Sequence, residues 1–450
     1  SGFLGLVFDR TSGVLLDNPD VNSIRAIRQL TLMFAKMELP CTPERENAAY
    51  AGYIQCEQDV RRSDANLDPA LRAEFKRISS MLYWDVFKHV DRKVYTNELI
   101  PKHGPGATAE KLTSNGKYLQ RTWPRRLNEV LPMAEYLIPN YSWYERLEDV
   151  DILEPGDEIP VRVVSVPKTL KAPRIIGIEP AAMQYMQQAL LPEILDALNR
   201  VDYLSSMLGF DDQEPNQLMA RQGSLHGDLA TLDLSEASDR VSNQHVRLLL
   251  SGHQHLSDAV DATRSRKADV PGQGVIRLAK FASMGSALCF PMEAMVFLTV
   301  IFVGIQRSLN TSLSLKDIKS FMGSVRVYGD DIIVPVDHVE SVVDALHSFG
   351  FVVSIPKSFW NGKFRESCGK EYYDGHDVSI VKVRQMFPTQ RSHATEVISV
   401  VSLRNQLYYA GMWNTVRWLD SYIEKVIKYF PVVLPSSPVL GRHSFLGFET

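Results

Sequence analysis

A short stretch, residues 324–335, restricts the fold more than any other part of the chain. It holds two β-rich segments, 325–328 and 332–334, separated only by Gly329, Asp330 and Asp331. Strand-forming residues on both sides of so short a polar break predict a tight β-hairpin with two adjacent carboxylates at its tip. Glycine provides the backbone freedom that the turn needs. Taken alone, the tripeptide is also typical of an ordinary hydrophilic turn.

Another carboxylate, Asp233, stands at the end of a predicted strand at 229–234. Mg²⁺ takes oxygen ligands and keeps several waters, so two or three carboxylates on rigid strands suffice to hold it. If the two strands are neighbours, Asp233, Asp330 and Asp331 form such a set, suited to two-metal chemistry. The alternative is that Asp233 only caps the start of a helix.

Residues 161–178 combine β-branched residues with positive charge and contain no acid. Two prolines interrupt the stretch, which predicts a basic β-hairpin or a pair of strands. Such a hairpin can neutralise phosphate groups without occupying the metal ligands. A single lysine there could instead lie on a solvated strand edge. The basic residues are Arg162, Lys168, Lys171 and Arg174.

Composition bounds the remaining possibilities. With 450 residues and 45% apolar content, the chain can form two or three domains with a large core. The net charge of −4 argues against general electrostatic wrapping of nucleic acid, so any RNA contact must come from local clusters of cations. The four cysteines are far apart, which disfavours a zinc site or a disulfide framework. The apolar run 295–305 is shorter than the roughly 20 residues of a membrane span.

Hydrophobic periodicity predicts an α+β protein. The opening, 22–100, is predicted to be mainly helical, and 101–160 to consist of loops with short elements. Later elements are a strand at 352–355 and helices at 181–198, 243–250, 285–308, 339–349 and 405–429.

Two segments resemble motifs of a known family. Residues 327–334 read Val-Tyr-Gly-Asp-Asp-Ile-Ile-Val and resemble motif C of viral RNA-directed RNA polymerases. Residues 232–239 read Leu-Asp-Leu-Ser-Glu-Ala-Ser-Asp and resemble motif A of the RNA bacteriophage (levivirus-type) branch. The resemblance implies that Asp233 and Asp330 bind both metals and that Asp331 assists.

Sugar recognition is implied by the same resemblance. In many viral relatives a second motif A acid recognises the ribose 2′-hydroxyl, and here the acid is Asp239, one position later than usual. Ser283 and Gly285 resemble the motif B loop that contacts template and nucleotide. Cys289 and Glu293 stand where most relatives have Thr and Asn. By its position in motif B, Glu293 is implied to contact the substrate.

Three further motifs complete the family's order F, A, B, C, D, E. Lys168, Lys171 and Arg174 match motif F and are implied to clamp the nucleotide and the template. Lys357 stands where motif D carries a lysine proposed as the general acid for pyrophosphate. Residues 364–373 resemble motif E, which lies beside the priming end of the product strand.

The family implies a right-hand polymerase architecture with fingers, a palm of antiparallel sheet plus helices, and a helical thumb. We predict fingers at 1–226, mostly helical with the basic hairpin 161–178. The predicted palm spans 227–384 and carries motifs A to E, with part of 243–280 assigned to either fingers or palm. The predicted thumb spans 385–450.

The resemblance also implies the activity, which is replication of a single-stranded RNA phage genome by two-metal-ion nucleotidyl transfer from NTPs without a primer. The implied cofactor is Mg²⁺, as two ions, with Mn²⁺ able to substitute. Implied partners are the template and nascent RNA, host elongation factors Tu and Ts, and a ribosomal RNA-binding protein. We expect no membrane association and a location in the cytoplasm of the bacterial host.

Two other functions share parts of this pattern. A reverse transcriptase has the same palm, but usually carries an apolar residue in place of Gly329 and an aromatic steric gate in motif A. Gly329 and Asp239 therefore favour ribonucleotides. A non-catalytic RNA-binding protein with a polymerase fold is the other alternative, and the intact carboxylates disfavour it.

Overall fold

The computed structural model describes residues 2–112, 114–169 and 172–447. The helices are α1 Val21–Leu32, α2 Pro43–Asn66, α3 Pro69–Tyr95, α4 Arg125–Val130, α5 Met133–Tyr136, α6 Ala181–Asn199, α7 Asp202–Met207, α8 Glu214–His226, α9 Ala237–Arg240, α10 Asn243–Leu249, α11 Gln254–Thr263, α12 Cys289–Leu309, α13 Leu315–Lys319, α14 Val339–Ser348, α15 Ala394–Tyr409 and α16 Trp413–Ile427. The strands are β1 Thr122–Pro124, β2 Asp151–Leu153, β3 Val161–Val166, β4 Arg174–Ile178, β5 Leu229–Ser235, β6 Lys267–Val270, β7 Gly274–Arg277, β8 Arg326–Tyr328, β9 Asp331–Pro335, β10 Val352–Val353, β11 Phe364–Ser367, β12 Lys370–Tyr373 and β13 His376–Asp377. Short 3-10 helices lie at Phe3–Leu6, Ser114–Tyr118, Tyr141–Asp149, Val336–His338 and Ile355–Lys357.

The predicted helical opening is confirmed by α1, α2 and α3. Helix α3 shows why it forms, since the Asp68 side chain accepts a hydrogen bond from the backbone of Ala70 and Pro69 occupies the first turn. Apolar residues then recur at helical spacing, and they are buried along one side of the helix. They include Leu71, Phe75, Ile78, Leu82 and Val86.

A four-stranded sheet in the order β10-β5-β9-β8 carries the predicted hairpin. All three strand pairs are antiparallel. The β5–β9 pairing runs from Leu229 opposite Pro335 to Asp233 opposite Asp331. Helices α8, α12 and α14 contact these strands. The α+β class and the antiparallel sheet with its helices are therefore confirmed.

The predicted basic strand pair is also confirmed, because β3 and β4 are neighbours in a second sheet of order β4-β3-β6-β7. Strand β3 runs parallel to β6, with Val161 opposite Ala268. Strands β6 and β7 form an antiparallel hairpin that the sequence analysis did not predict. Its signal was the turn at Pro271 and Gly272, where Gly272 has a φ of 74°.

Helix α12 is longer than the apolar run suggested by sequence, and it starts at Cys289 rather than at 285. The later start follows from Gly285, whose φ of 122° is incompatible with a helix. Among the described residues, α12 alone is long and apolar enough to meet the criteria for crossing a membrane, and 89% of its apolar stretch is buried within the protein. A helix that is apolar on all sides is expected in a protein core.

The chain divides into two compact units. The first comprises Ser1–Glu46, Val166–Arg174 and Val378–Thr450, and the second comprises Asn47–Ser165 and Ile175–Asp377. The core of the first unit lies between α15 and α16, where Val400, Leu407 and Leu419 are buried. The predicted boundaries of fingers, palm and thumb stay predictions.

Two predicted elements differ from the structure. The continuous helix predicted at 405–429 is wrong, since α15 and α16 are separated at Gly411, which has a φ of 78°. Glycine with a positive φ ends helices because it carries no Cβ. The strand predicted at 352–355 ends after Val353, since Pro356 follows and the chain turns into a 3-10 helix.

The contact between α12 and α14 gives a stability prediction. A Cβ on Gly304 would lie 2.7 Å from the Cα of Val342 and 2.9 Å from the carbonyl oxygen of Ser341. We expect Gly304→Ala to lower the free energy of unfolding by about 1–3 kcal/mol through overpacking, despite the better helix propensity of Ala.

Gly52→Ala in α2 is the matched control, because a Cβ there would meet nothing within 4 Å. We expect it to stabilise the protein by roughly 0.5–1 kcal/mol. Chemical denaturation of both variants measures the two effects. Equal responses would contradict close backbone packing at Gly304.

Candidate active site

The tip of the β8–β9 hairpin depends on Gly329. Its φ is 58°, and a Cβ there would lie 2.6 Å from the ring of Phe290. The same ring packs edge-on against Tyr328, with centroids 5.5 Å apart. This packing leaves Asp330 exposed at the tip, while Asp331 is half-buried as the first residue of β9. The predicted glycine turn is confirmed.

The partner carboxylate is Asp233 on β5, which the strand register places directly opposite Asp331. Side chains opposite each other in an antiparallel pair lie on the same face of the sheet. Burial raises the pKa of Asp331 to about 6, and the negative charges of Asp330 and Asp233 contribute to the rise. The predicted pairing of the strands is thus confirmed: Asp233 on β5 lies opposite Asp331 on β9, and Asp330 is the adjacent residue at the hairpin tip.

The chemistry of this acid group fits a hard divalent cation. Mg²⁺ is bound by oxygen ligands, and a cation would relieve the repulsion from Asp330 and Asp233 that adds to the effect of burial on the pKa of Asp331. Within the described part of the chain, however, no three His, Cys, Asp or Glu side chains are already arranged to hold a metal ion. A bound cation would also share Asp233 with a lysine.

That lysine is Lys357, in the 3-10 helix after β10. Its ammonium group lies 3.3 Å from each carboxylate oxygen of Asp233, and its side chain is 60% exposed. The next residue also supports the acid, because the hydroxyl of Ser358 accepts a hydrogen bond from the backbone N–H of Asp233 at 3.1 Å. The structure therefore places Lys357 beside the candidate metal ligands.

The loop before α12 lies against strand β4. A Cβ on Gly285 would lie 1.9 Å from the carbonyl oxygen of Gly177, so no other residue fits without a shift of the backbone. The backbone N–H of Gly177 also donates to the carbonyl oxygen of Met284 at 2.8 Å. Ser283, the residue before Met284, is buried. Backbone packing therefore fixes the shape of the predicted template and nucleotide loop.

Glu293 on α12 contacts the start of α9. The hydroxyl of Ser238 donates a hydrogen bond to its carboxylate at 2.5 Å. Burial raises the pKa of Glu293 to about 8, and the charges of Asp330 and Asp239 add to the effect. The sequence analysis noted that the motif A acid falls one position late, but it did not foresee that Ser238 and Glu293 would form a buried pair.

Asp239 has a partner that the sequence analysis missed. The ammonium group of Lys280, which is fully buried, lies 2.8 Å from the Asp239 carboxylate and 3.4 Å from that of Glu57. Lys280 sits within the apolar stretch 278–282, and a lone lysine in such a stretch was the available signal. Glu57 gave no signal, since α2 contains several other acids.

The predicted motif E segment forms the hairpin β11–β12. Arg365 is fully buried, and its Nε donates to the carbonyl oxygen of Leu229 in β5 at 2.6 Å. The hydroxyl of Ser367 lies 3.4 Å from the carboxylate of Asp331. This hairpin therefore supports the strand that carries Asp233 and contacts the acid opposite it.

Lys168 and Arg174, two of the three basic residues predicted to bind phosphates, belong to the first unit. Lys168 follows β3 and Arg174 begins β4, and both are exposed. Lys171 lies outside the described residues. The role of these three residues in phosphate binding stays a prediction.

Comparison with known protein families identifies the class to which this chain belongs. Residues 158–435, more than half of the chain, match the family described as RNA replicase, beta-chain. The protein belongs to this family.

Two similar relatives are named as RNA-directed RNA polymerase subunits. The chain is 35% identical over 257 residues to the RNA-directed RNA polymerase subunit beta of Qbeta virus (strain MX1), covering 57% of this chain and 39% of the relative. It is 35% identical over 216 residues to the RNA-directed RNA polymerase beta chain of Escherichia phage MS2. That match covers 48% of this chain and 36% of the relative. The matched region thus spans less than two fifths of each relative. The chain was also compared with a solved structure of the BmCPV RNA-dependent RNA polymerase. The comparison gives a TM-score of 0.43 at 13% identity, and it covers 75% of this chain and 31% of the BmCPV chain.

The raised pKa of Asp331 gives a second prediction. Its ionised form is disfavoured in the fold, so the contribution of this group to stability is fully present below its unfolded pKa and is lost as pH rises through its folded pKa of about 6. We expect Asp331→Asn to stabilise the metal-free protein by about 1–2 kcal/mol at pH 7.5, after allowance for solvent screening, and by less at pH 5.

Thermal unfolding in EDTA at both pH values measures this effect. Asp258→Asn is the control, because Asp258 is exposed on α11, and its melting temperature should match that of the wild type. A destabilised Asp331→Asn protein at pH 7.5 would contradict the electrostatic description of the acid group.

Proposed function

We propose that this chain is an RNA-directed RNA polymerase that joins ribonucleotides on a single-stranded RNA template. Membership of the RNA replicase beta-chain family supports this. The observation that carries it is the register that sets Asp233 opposite Asp331, one residue from the exposed Asp330. This geometry holds three carboxylates at the end of a rigid sheet, where a nucleotide can reach them.

Asp233 and Asp330 would hold two Mg²⁺ ions, or Mn²⁺ in their place, with Asp331 assisting. Such ions, when bound, activate the 3′-hydroxyl and neutralise charge on the triphosphate and the pyrophosphate. Before binding, the ammonium group of Lys357 neutralises part of the charge on Asp233. Because its side chain is 60% exposed, we propose that Lys357 turns from Asp233 towards the pyrophosphate and donates a proton to it.

The other predicted residues orient the substrate. Lys168, Lys171 and Arg174 would neutralise phosphates of the nucleotide and the template. Ser283, Gly285, Glu293 and Asp239 surround the position of the sugar in this proposal. An exposed Lys357 and a tightly packed loop at Gly285 suit these different tasks, since Lys357 would move a proton and the loop would fix a shape.

Nucleotide incorporation by the protein purified from bacteria together with its co-purifying partners tests this function. We expect primer-free synthesis from NTPs on RNA with Mg²⁺. Asp233→Asn and Asp330→Asn should each lower the rate by about 10²- to 10³-fold, because each change removes several kcal/mol of charge stabilisation.

Asp337→Asn is the matched control, since Asp337 is exposed beyond the far end of β9 and should leave the rate unchanged. Retained synthesis in both active-site variants would refute the acid site. Preference for dNTPs over NTPs would instead assign the chain to the reverse transcriptases.

The proposed working enzyme acts in the cytoplasm of the bacterial host with elongation factors Tu and Ts and a ribosomal RNA-binding protein. Purification of the tagged chain from bacteria should yield these partners in stoichiometric amounts. Asp330→Asn should recruit the same proteins, because recruitment does not require catalysis. Isolation of an active lone subunit would contradict this assembly.

A further inference from the structure

Lys280 is an unusual residue for its surroundings. It is 0% exposed, and two carboxylates contact its ammonium group, at 2.8 Å from Asp239 and 3.4 Å from Glu57. The second oxygen of the Glu57 carboxylate accepts a hydrogen bond from the backbone N–H of Ala279 at 2.5 Å. A buried charge is costly unless it is paired and hydrogen-bonded, and this one is paired twice.

An aromatic ring extends this cluster. The ammonium group of Lys280 lies 3.5 Å from the ring centroid of Tyr53, within the range of a cation–π interaction. The hydroxyl of Tyr53 then shares a hydrogen bond with the hydroxyl of Ser283, with 2.7 Å between the oxygens. One buried cation thus connects Asp239, which follows β5, with Ser283, which precedes Gly285.

The arrangement leaves Asp239 oriented but reachable. One carboxylate oxygen contacts Lys280, and the side chain as a whole is 19% exposed. A carboxylate anchored through one oxygen loses much of its rotational freedom, so a hydrogen bond to a second partner costs less ordering entropy. A ligand that donates a hydrogen bond from a hydroxyl group, such as a ribose, is the kind that an anchored carboxylate recognises.

We propose that Lys280 is a positioning residue for ribonucleotide selection, holding the Asp239 carboxylate towards the 2′-hydroxyl of the incoming nucleotide and, through Tyr53, fixing Ser283. This rests on the proposed polymerase function. Lys280 is buried and does not touch the substrate. Its effect should therefore appear in the choice between ribose and deoxyribose rather than in the chemistry that both sugars share.

Single-nucleotide extension of an RNA primer on an RNA template, with Mg²⁺, tests the proposal. The readout is the ratio of kcat/KM for an NTP to that for the matching 2′-dNTP. We expect Lys280→Met combined with Glu57→Gln to lower this ratio about tenfold or more, because a charge-assisted hydrogen bond to the 2′-hydroxyl is lost. Incorporation of the dNTP should change little.

The double variant is chosen to keep the fold. The neutral amide introduced by Glu57→Gln leaves no buried charge at that position once the lysine is gone, and its oxygen still offers an acceptor to Ala279. Tyr53→Phe is the second variant. It retains the ring beside the ammonium group and removes only the hydrogen bond to Ser283. We expect it to fold normally and to lower the ratio by a smaller factor, about threefold.

Lys93→Met with Glu193→Gln is the matched control, because this is another largely buried Lys–Glu pair, joining α3 to α6. It should leave the ratio unchanged. Asp239→Asn should lower the ratio, and adding the Lys280 and Glu57 changes to it should have little further effect.

A parallel fall in NTP and dNTP incorporation, with the ratio constant, would overturn the proposal and leave Lys280 a purely structural residue. An unchanged ratio in Asp239→Asn would overturn it as well. Failure of the wild type, assayed together with its co-purifying partners, to extend the primer with any nucleotide would instead refute the polymerase function itself. The two failures are therefore distinguishable.

Discussion

The antiparallel pairing of β5 with β9 determines where the rest of the candidate site lies. Ladder hydrogen bonds fix the register from Leu229 opposite Pro335 to Asp233 opposite Asp331, and a slip of one residue would turn one of the two acids to the other face. Several elements secure this register. Arg365 binds the first carbonyl of β5, and Gly329 permits the turn that leads into β9.

The sequence predicted much of this arrangement because its signals are local. The β8–β9 hairpin needs only two β-rich segments and a glycine turn, and α12 needs only a long apolar run. The break between α15 and α16 was missed because apolar residues recur at helical spacing on both sides of it and a single glycine, Gly411, ends the first helix. The pairing of Lys280 with Glu57 was missed for a different reason, since the two residues are far apart in the chain and only the tertiary fold unites them.

The site separates fixed parts from movable ones. Buried ion pairs and backbone contacts immobilise the groups around Asp239 and Ser283, whereas Lys357 is mostly exposed and held by a single carboxylate. Burial raises the pKa of both Asp331 and Glu293, and repulsion from neighbouring acids adds to the rise. Stability is thus reduced where a polymerase would use negative charge, a pattern common at functional sites.

The contact between Gly177 and Gly285 has a mechanical consequence. Two backbones meet there with no side chain between them, so the contact has little compressibility. If the loop before α12 flexes when a template advances, it must pivot about this point rather than press through it. The two glycines would then act as a pivot, at which a small shift of strand β4 is passed to the loop before α12.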